Sequence, residues 1–421
     1  MKKTPYPLER ELGMELYTTD TPGIGGALRK QAEDFLVEEI PAPVESAGPY
    51  LLCRLIKKNW ELQRLVKEIA RILGISHRRI SWAGTKDKHA VTTQLISLYD
   101  VDPVAIQKIS LRDVTLQVVG KAAAPLSLGM LEGNHFSLWI RDCSGENLES
   151  QVNTCVHAAR KGIFNYYGIQ RFGARRPITH LVGKKILQGD FEGAVLTYAG
   201  LSFPDEPEET RQAREGYWQT RDPKAALRNF PVYLTYERTL LHHLTGAPGQ
   251  YREALATLPP KLLSLFVSAF QSYIFNSALS ARCEEGLSLY EPVEGDMLVF
   301  STGRTDCVTS SLLPAAQLQV QRGRARPALF IPGSRPEDWK IASPRACEIL
   351  AEHGITPEHF SHVQDFVSTA FQGFHRVISL STDISSRTEG NDVHLRFTLA
   401  PGQYATTVCR EFMKSDPLSL I

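Results

Sequence analysis

Ala83-Gly84-Thr85-Lys86-Asp87-Lys88-His89-Ala90-Val91-Thr92-Thr93-Gln94 is the stretch on which the reading of the fold turns. It begins as a glycine-led polar run and passes into a β-branched, alternating one, residues 91–98, whose period of two predicts a strand. On the other side, Ile80-Ser81-Trp82 also reads as strand. The polar run is therefore a loop held between two strands, where a rigid sheet tends to present reactive side chains. Lys86 is followed by aspartate and the chain continues as strand, so this is no phosphate loop, which needs Gly-x-x-x-x-Gly-Lys-Ser/Thr opening a helix. Gly23-Ile24-Gly25-Gly26 is no dinucleotide loop either, lacking a preceding strand and a third glycine in place.

Working outward, residues 34–40 predict a short strand after the turn-rich Thr21-Pro22-Gly23-Ile24-Gly25-Gly26. Asn59 is placed to cap a helix in which Leu62, Leu65, Val66, Ile69, Ile72 and Leu73 recur at helical spacing, and which Gly74 closes. Further strands are expected at 114–119 and 135–141, and a helix at 146–161. After Gly173 the character changes: 204–211 is acidic with proline and 220–231 is polar, and both read as linkers or surface loops. A buried helix is expected to begin at Pro259-Pro260 and run through 262–282, with shorter helices at 345–352 and 357–364. Strands return at 376–381 and 393–399, and a last helix follows from 404 to 414.

At 421 residues and 43% hydrophobic content, the chain can fill two or three domains of roughly 150 residues, which excludes disorder throughout. No apolar run approaches the roughly 20 residues of a membrane span. Behind Met1-Lys2-Lys3 there is no apolar segment, so a cytoplasmic protein without a membrane partner is expected. The seven cysteines are scattered with no C-x-x-C pair, which predicts reduced thiols and neither disulfides nor zinc. His242-His243 and His359…His362 lack partners at ligand spacing, so no metal is expected. The net charge of +1 is low for a nucleic-acid binder. Any such footprint must be local, and basic runs lie at 71–79, 171–176 and 322–326.

The residues 83–94 resemble the signature G-x-K-D-x-x-A-x-T-x-Q of the TruD-type pseudouridine synthases, and five more segments resemble that family's motifs in the right order. They are Glu33-Asp34-Phe35-Leu36-Val37-Glu38-Glu39; Gly133-Asn134-His135-Phe136; Asn165-Tyr166-Tyr167-Gly168-Ile169-Gln170-Arg171-Phe172-Gly173; Gln271-Ser272-Tyr273-Ile274-Phe275-Asn276 with Arg282; and Pro401-Gly402-Gln403-Tyr404-Ala405-Thr406-Thr407, closing on Arg410-Glu411.

The resemblance implies an α+β fold. A catalytic domain with a mixed, largely antiparallel sheet and flanking helices would take residues 1–165 and 375–421, and an inserted α/β TRUD domain would take 166–374, with RNA in the cleft between. It implies a monomeric, cofactor-free isomerase that converts a uridine of tRNA, at position 13, to pseudouridine. Uracil would leave C1′, turn, and return through C5. By resemblance the carboxylate for this is Asp87, adding to the sugar or removing the C2′ proton. The family carries a lysine where this chain has Arg29, so Arg29, or Lys30 beside it, would be the cation that favours the ionised carboxylate. Phe136 and Tyr404 would wall a flipped base, Asn134 and Lys86 would hold the pocket or substrate, and Arg171, Arg175 and Arg176 would meet phosphate. A methyltransferase would instead need a glycine-rich strand-to-helix turn for its methyl donor, and a non-catalytic RNA binder would not need Asp87.

Overall fold

The expected strand, loop and strand around Asp87 lie within the largest sheet of the computed structural model, which describes residues 1–367 and 369–421. Contacts divide the chain into two compact units. One holds Thr18–Ile163 with Ser381–Ile421, the other Met1–Tyr17 with Phe164–Leu380.

In the first unit the elements are β1 (Gly25–Leu28), β2 (Phe35–Pro41), β3 (Ser46–Lys58), α1 (Leu62–Leu73), β4 (Ile80–Trp82), β5 (Val91–Tyr99), β6 (Val114–Ala122), β7 (Leu131–Cys143), α2 (Leu148–Lys161), β8 (Ile384–Glu389), β9 (Asp392–Leu399) and α3 (Ala405–Met413). The strands make one sheet in the order β8-β9-β7-β2-β5-β3-β6, with β1 also on β7 and β4 on β5. All these pairings are antiparallel except β2 with β5. That parallel pair needs a long crossover, which β3 and α1 supply. The amphipathic face of α1 buries Leu62, Leu65, Val66 and Ile69 against Cys53, Leu55, Ile96 and Leu98 of the sheet. Each such side chain contributes about 1.5–3 kcal/mol of burial.

The cap of α1 differs from expectation. Glu61, not Asn59, accepts the free amides of Gln63 (2.8 Å) and Arg64 (2.7 Å). Asn59 instead takes a left-handed conformation (φ 58°) that turns the chain out of β3, a conformation asparagine tolerates better than most residues. Gly74 ends the helix in the left-handed region, as the pattern predicts.

The second unit combines helices with a four-stranded antiparallel sheet ordered Thr305–Cys307, Met297–Phe300, Ala325–Ile331, Phe374–Val377. Its long helix, Pro260–Glu284, is largely buried and starts at the expected proline. The stretches read as linkers are mostly helix, Glu208–Thr220 and Pro223–Asn229. The pattern of the first was hidden because a buried position belongs to Arg214, whose charge is met by Glu206 (2.8 Å) and Glu237 (2.9 Å). The strand expected at 376–381 is interrupted, and its first part, Phe374–Val377, edges this sheet. Residues 1–17, read with the catalytic domain, make their contacts within this unit.

Candidate active site

Register and strand alternation put the motif residues on one face of the large sheet. Lys57 of β3 lies opposite Thr92 of β5, Thr92 beside Val37 of β2, Val37 opposite Phe136 of β7, and Phe136 opposite Phe397 of β9. The next row on this face runs from Leu55 and Gln94 to Glu39, Asn134 and Leu399. Gly133 precedes Asn134 because a Cβ there would lie 2.6 Å from the Leu399 carbonyl oxygen, so only glycine lets β9 approach.

The 83–90 loop is fixed to this face at several points. Gln94 Nε2 donates to the Gly84 carbonyl (3.0 Å), and the amide of Gly129 to that of Ala83 (2.8 Å). Lys86 Nζ pairs with Glu39 Oε2 at 2.5 Å, with only 6% and 1% of the two side chains exposed. The other oxygen of Glu39 accepts the amide of Leu95 (3.2 Å). A Cβ at Gly84 would lie 2.9 Å from the Lys86 ammonium, so the glycine leaves room for the ion pair. Lys86 is thus a buried anchor of the loop and is not presented to a ligand.

Asp87 sits at the exposed end of this mounting, its side chain 51% accessible. Two cations reach it. Arg29 Nη2 lies 3.3 Å from Oδ2, a single-nitrogen contact. Lys57 Nζ donates to the Asp87 main-chain carbonyl oxygen at 2.7 Å. Arg29 has a left-handed backbone (φ 57°), which for a non-glycine residue costs on the order of 1 kcal/mol. That turn lays its guanidinium 3.9 Å from the centre of the Phe35 ring. Lys30 faces elsewhere and pairs with Asp142. The turn after Arg29 is held by Asp34, which accepts the Gln31 amide (2.9 Å) and the guanidinium of Arg141 (2.7 and 2.8 Å).

From Arg29 a continuous set of contacts reaches the aromatic residues. Phe35 meets Phe136 edge-on at 6.2 Å, and Phe136 stacks on Phe397 at 5.4 Å. Four buried polar atoms on these residues have no hydrogen-bond partner among the described residues: Arg29 Nε, Thr92 Oγ1, Gln94 Oε1 and Asn134 Oδ1. Native structures leave few such atoms, and these four belong to motif residues and to Arg29 beside Asp87. Lys57 is the residue that the sequence reading missed. Burial brings its amine down to about 8, against the pull of Asp87 and Glu61.

The remaining expected residues are dispersed. Tyr404 is half-buried and caps α3, its carbonyl accepting the Thr407 amide (3.1 Å). Arg171, Arg175 and Arg176 belong to the other unit. Arg171 donates to Ser272 Oγ (3.0 Å), and Arg175 is exposed. Arg176 is not a surface cation. It lies 3.3 Å from Glu206 and 3.6 Å from Glu237, donates to the carbonyls of Tyr198 and Leu201, and is lowered to about 10 by burial.

The comparisons agree with this architecture. A family model described as tRNA pseudouridine synthase D (TruD) matches residues 11–412. Proteins named "Probable tRNA pseudouridine synthase D" are similar along nearly their whole length. That of Methanococcoides burtonii is 39% identical, covering 98% of each chain. That of Archaeoglobus fulgidus is 37% identical, over 97% of this chain and 100% of its own. A crystal structure of the "Putative tRNA pseudouridine synthase D (TruD)" from Methanosarcina mazei superposes with a TM-score of 0.81 at 38% identity, over 97% of this chain and 98% of that one. Fold and motif order are those of a pseudouridine synthase. Within that class, the chain belongs to the TruD family.

Proposed function

We propose that this chain isomerises uridine to pseudouridine in tRNA, at position 13, with Asp87 as the reacting carboxylate. It would act as a cytoplasmic monomer and without a cofactor. The observation that carries the reading is the mounting of Asp87: a half-exposed carboxylate on a loop pinned from beneath, paired with Arg29, whose guanidinium leads through Phe35 to Phe136.

Each part has work to do in that reaction. The uridine must leave the RNA stack, at a few kcal/mol. Phe136 offers a ring face, and stacking returns about 1–3 kcal/mol. Asn134, two residues before Phe136 on the same face of the sheet, would hold the pocket or a base edge. Asp87 then either bonds to C1′ as uracil departs or takes the C2′ proton to leave a glycal. In both routes the detached uracil turns and bonds to C1′ through C5, as the Asp87–C1′ bond breaks or the proton returns to C2′, and the C5 proton is released. Asp87 must therefore act as an anion in a pocket that the RNA closes, and the positive charge of Arg29 stabilises it there. Arg175, exposed in the other unit, is available to phosphate.

The test is conversion of an unmodified tRNA transcript, with pseudouridine mapped by a chemical probe, beside Asp87→Asn. Wild type is expected to modify one uridine, at position 13, and the variant none. Equal product from the two proteins would refute the role of Asp87. Product at another position would refute the assignment of the target.

A further inference from the structure

Lys57 presents a problem that the fold alone does not explain. Its side chain is wholly buried, yet it forms no ion pair among the described residues. Its one hydrogen bond goes to the main-chain oxygen of Asp87 (2.7 Å). Lysine is rarely buried without a carboxylate, because removing an ammonium from water is costly. A methionine would fill nearly the same space, and replacing a buried charge by an apolar side chain is often neutral or stabilising. Its position is also specific. Lys57 is the last inward-facing residue of β3, opposite Thr92, at the edge where the 83–90 loop joins β5.

We infer that Lys57 is a positioning residue for the isomerisation. Its ammonium fixes the Asp87 peptide and supplies, from inside the protein, a second positive charge that offsets the desolvation of the carboxylate when RNA covers it. This rests on the reading of Asp87 as the reacting group. The two cations act differently. Arg29 holds the carboxylate itself. Lys57 holds the backbone from which the carboxylate hangs. A charge buried in the sheet is little screened by salt, so it continues to act when solvent is excluded. The titratable groups that act on Lys57 are Asp87 and Glu61, which favour its charged form, and Lys86, which opposes it. With the amine at about 8, the clamp is protonated at neutral pH and is lost above it.

The experiment compares full-length wild type, Lys57→Met and Lys57→Arg on unmodified tRNA transcript, measuring kcat, KM, melting temperature and the pH profile. For Lys57→Met, kcat is expected to fall on the order of 100-fold, the usual effect of a misplacement of about 1 Å. KM should stay within about twofold and the melting temperature should not fall. Lys57→Arg keeps a charge that is not lost in the accessible pH range, so it should recover at least about a tenth of the wild-type rate and abolish the loss of activity above pH 8. If Lys57→Arg does not fold, Lys57→Met decides. A kcat for Lys57→Met within about threefold of wild type would overturn the inference. So would a loss of activity that merely follows a loss of folded protein, which would assign Lys57 to stability. Failure of the underlying reading would look different, since Asp87→Asn would then be active.

Discussion

Glu39→Gln should loosen the loop that carries Asp87, and the structure allows the size of the effect to be worked out. Glu39 and Lys86 are 2.5 Å apart with 1% and 6% of their side chains exposed. At an effective dielectric of about 20 their attraction is about 7 kcal/mol, most of which offsets the cost of taking both charges out of water. Glutamine keeps the shape, and keeps an oxygen to accept the Leu95 amide. It removes the charge alone and leaves the Lys86 ammonium buried beneath Gly84. Breaking one side of such a pair costs about 3–5 kcal/mol. For a unit of this size that lowers the melting transition on the order of 10 °C. Calorimetry would measure it on Glu39→Gln, Lys86→Met and the double variant. The double variant removes both charges and should recover most of the loss, which makes the coupling visible. Because the pair sits one residue before Asp87, kcat should fall with stability in Glu39→Gln and return in part in the double variant. A shift below about 2 °C in Glu39→Gln, or a double variant as unstable as the sum of the singles, would refute the buried-pair argument.

Two more outcomes are expected. Phe136→Leu keeps an apolar side chain between Phe35 and Phe397 but removes the ring face, and should lower kcat/KM about 10- to 100-fold, from about 1–3 kcal/mol of lost stacking; steady-state kinetics on tRNA within twofold of wild type would remove Phe136 from the base platform. Lys57 should also make stability depend on pH: its folded value is lowered from 10.5 to about 8, so above pH 8 the unfolded chain binds the extra proton and stability rises with pH up to about 10.5. The cost relieved is about 3 kcal/mol, at 1.36 kcal/mol for each pH unit between the two values. Urea melts of wild type against Lys57→Met from pH 7 to 10 would show the gap between them change in favour of wild type, and a constant gap would count against a buried ammonium.

Much of the large sheet was legible because its strands alternate cleanly. Val91 to Leu98 shows β-branched residues and a period of two, and the helix after β3 shows its apolar stripe. The elements missed have physical reasons. Ser385-Ser386-Arg387-Thr388-Glu389 forms an edge strand, β8, with most of its side chains in solvent, so no apolar periodicity marks it. Glu208–Thr220 hides its buried stripe behind Arg214. At the candidate site, Asp87 and Phe136 stand in motifs, whereas Lys57 stands in Lys57-Lys58, a pair that composition assigns to solvent. Only strand register shows that one lysine faces the core and the other pairs with Glu33 at the surface. The choice between Arg29 and Lys30 was equally closed to sequence, since it depends on a left-handed turn at Arg29 that no residue preference predicts.

That turn and that register have a joint electrostatic result. Lys86 and Glu39 cancel each other beneath the loop. Above them, Arg29 and Lys57 both act on the single charge of Asp87, so the group carries one positive charge in excess. A chain with a net charge of only +1 cannot attract RNA by its overall field. A local excess beside the reacting carboxylate acts after binding, by offsetting the burial of the Asp87 anion. The excess depends on Lys57. With methionine in its place, Arg29 and Asp87 become a neutral pair, and Arg29 alone must offset the burial of the Asp87 anion. The two cations are therefore not redundant, and Arg29→Lys, which keeps a charge in the pocket, is expected to damage the reaction less than Lys57→Met, which removes one.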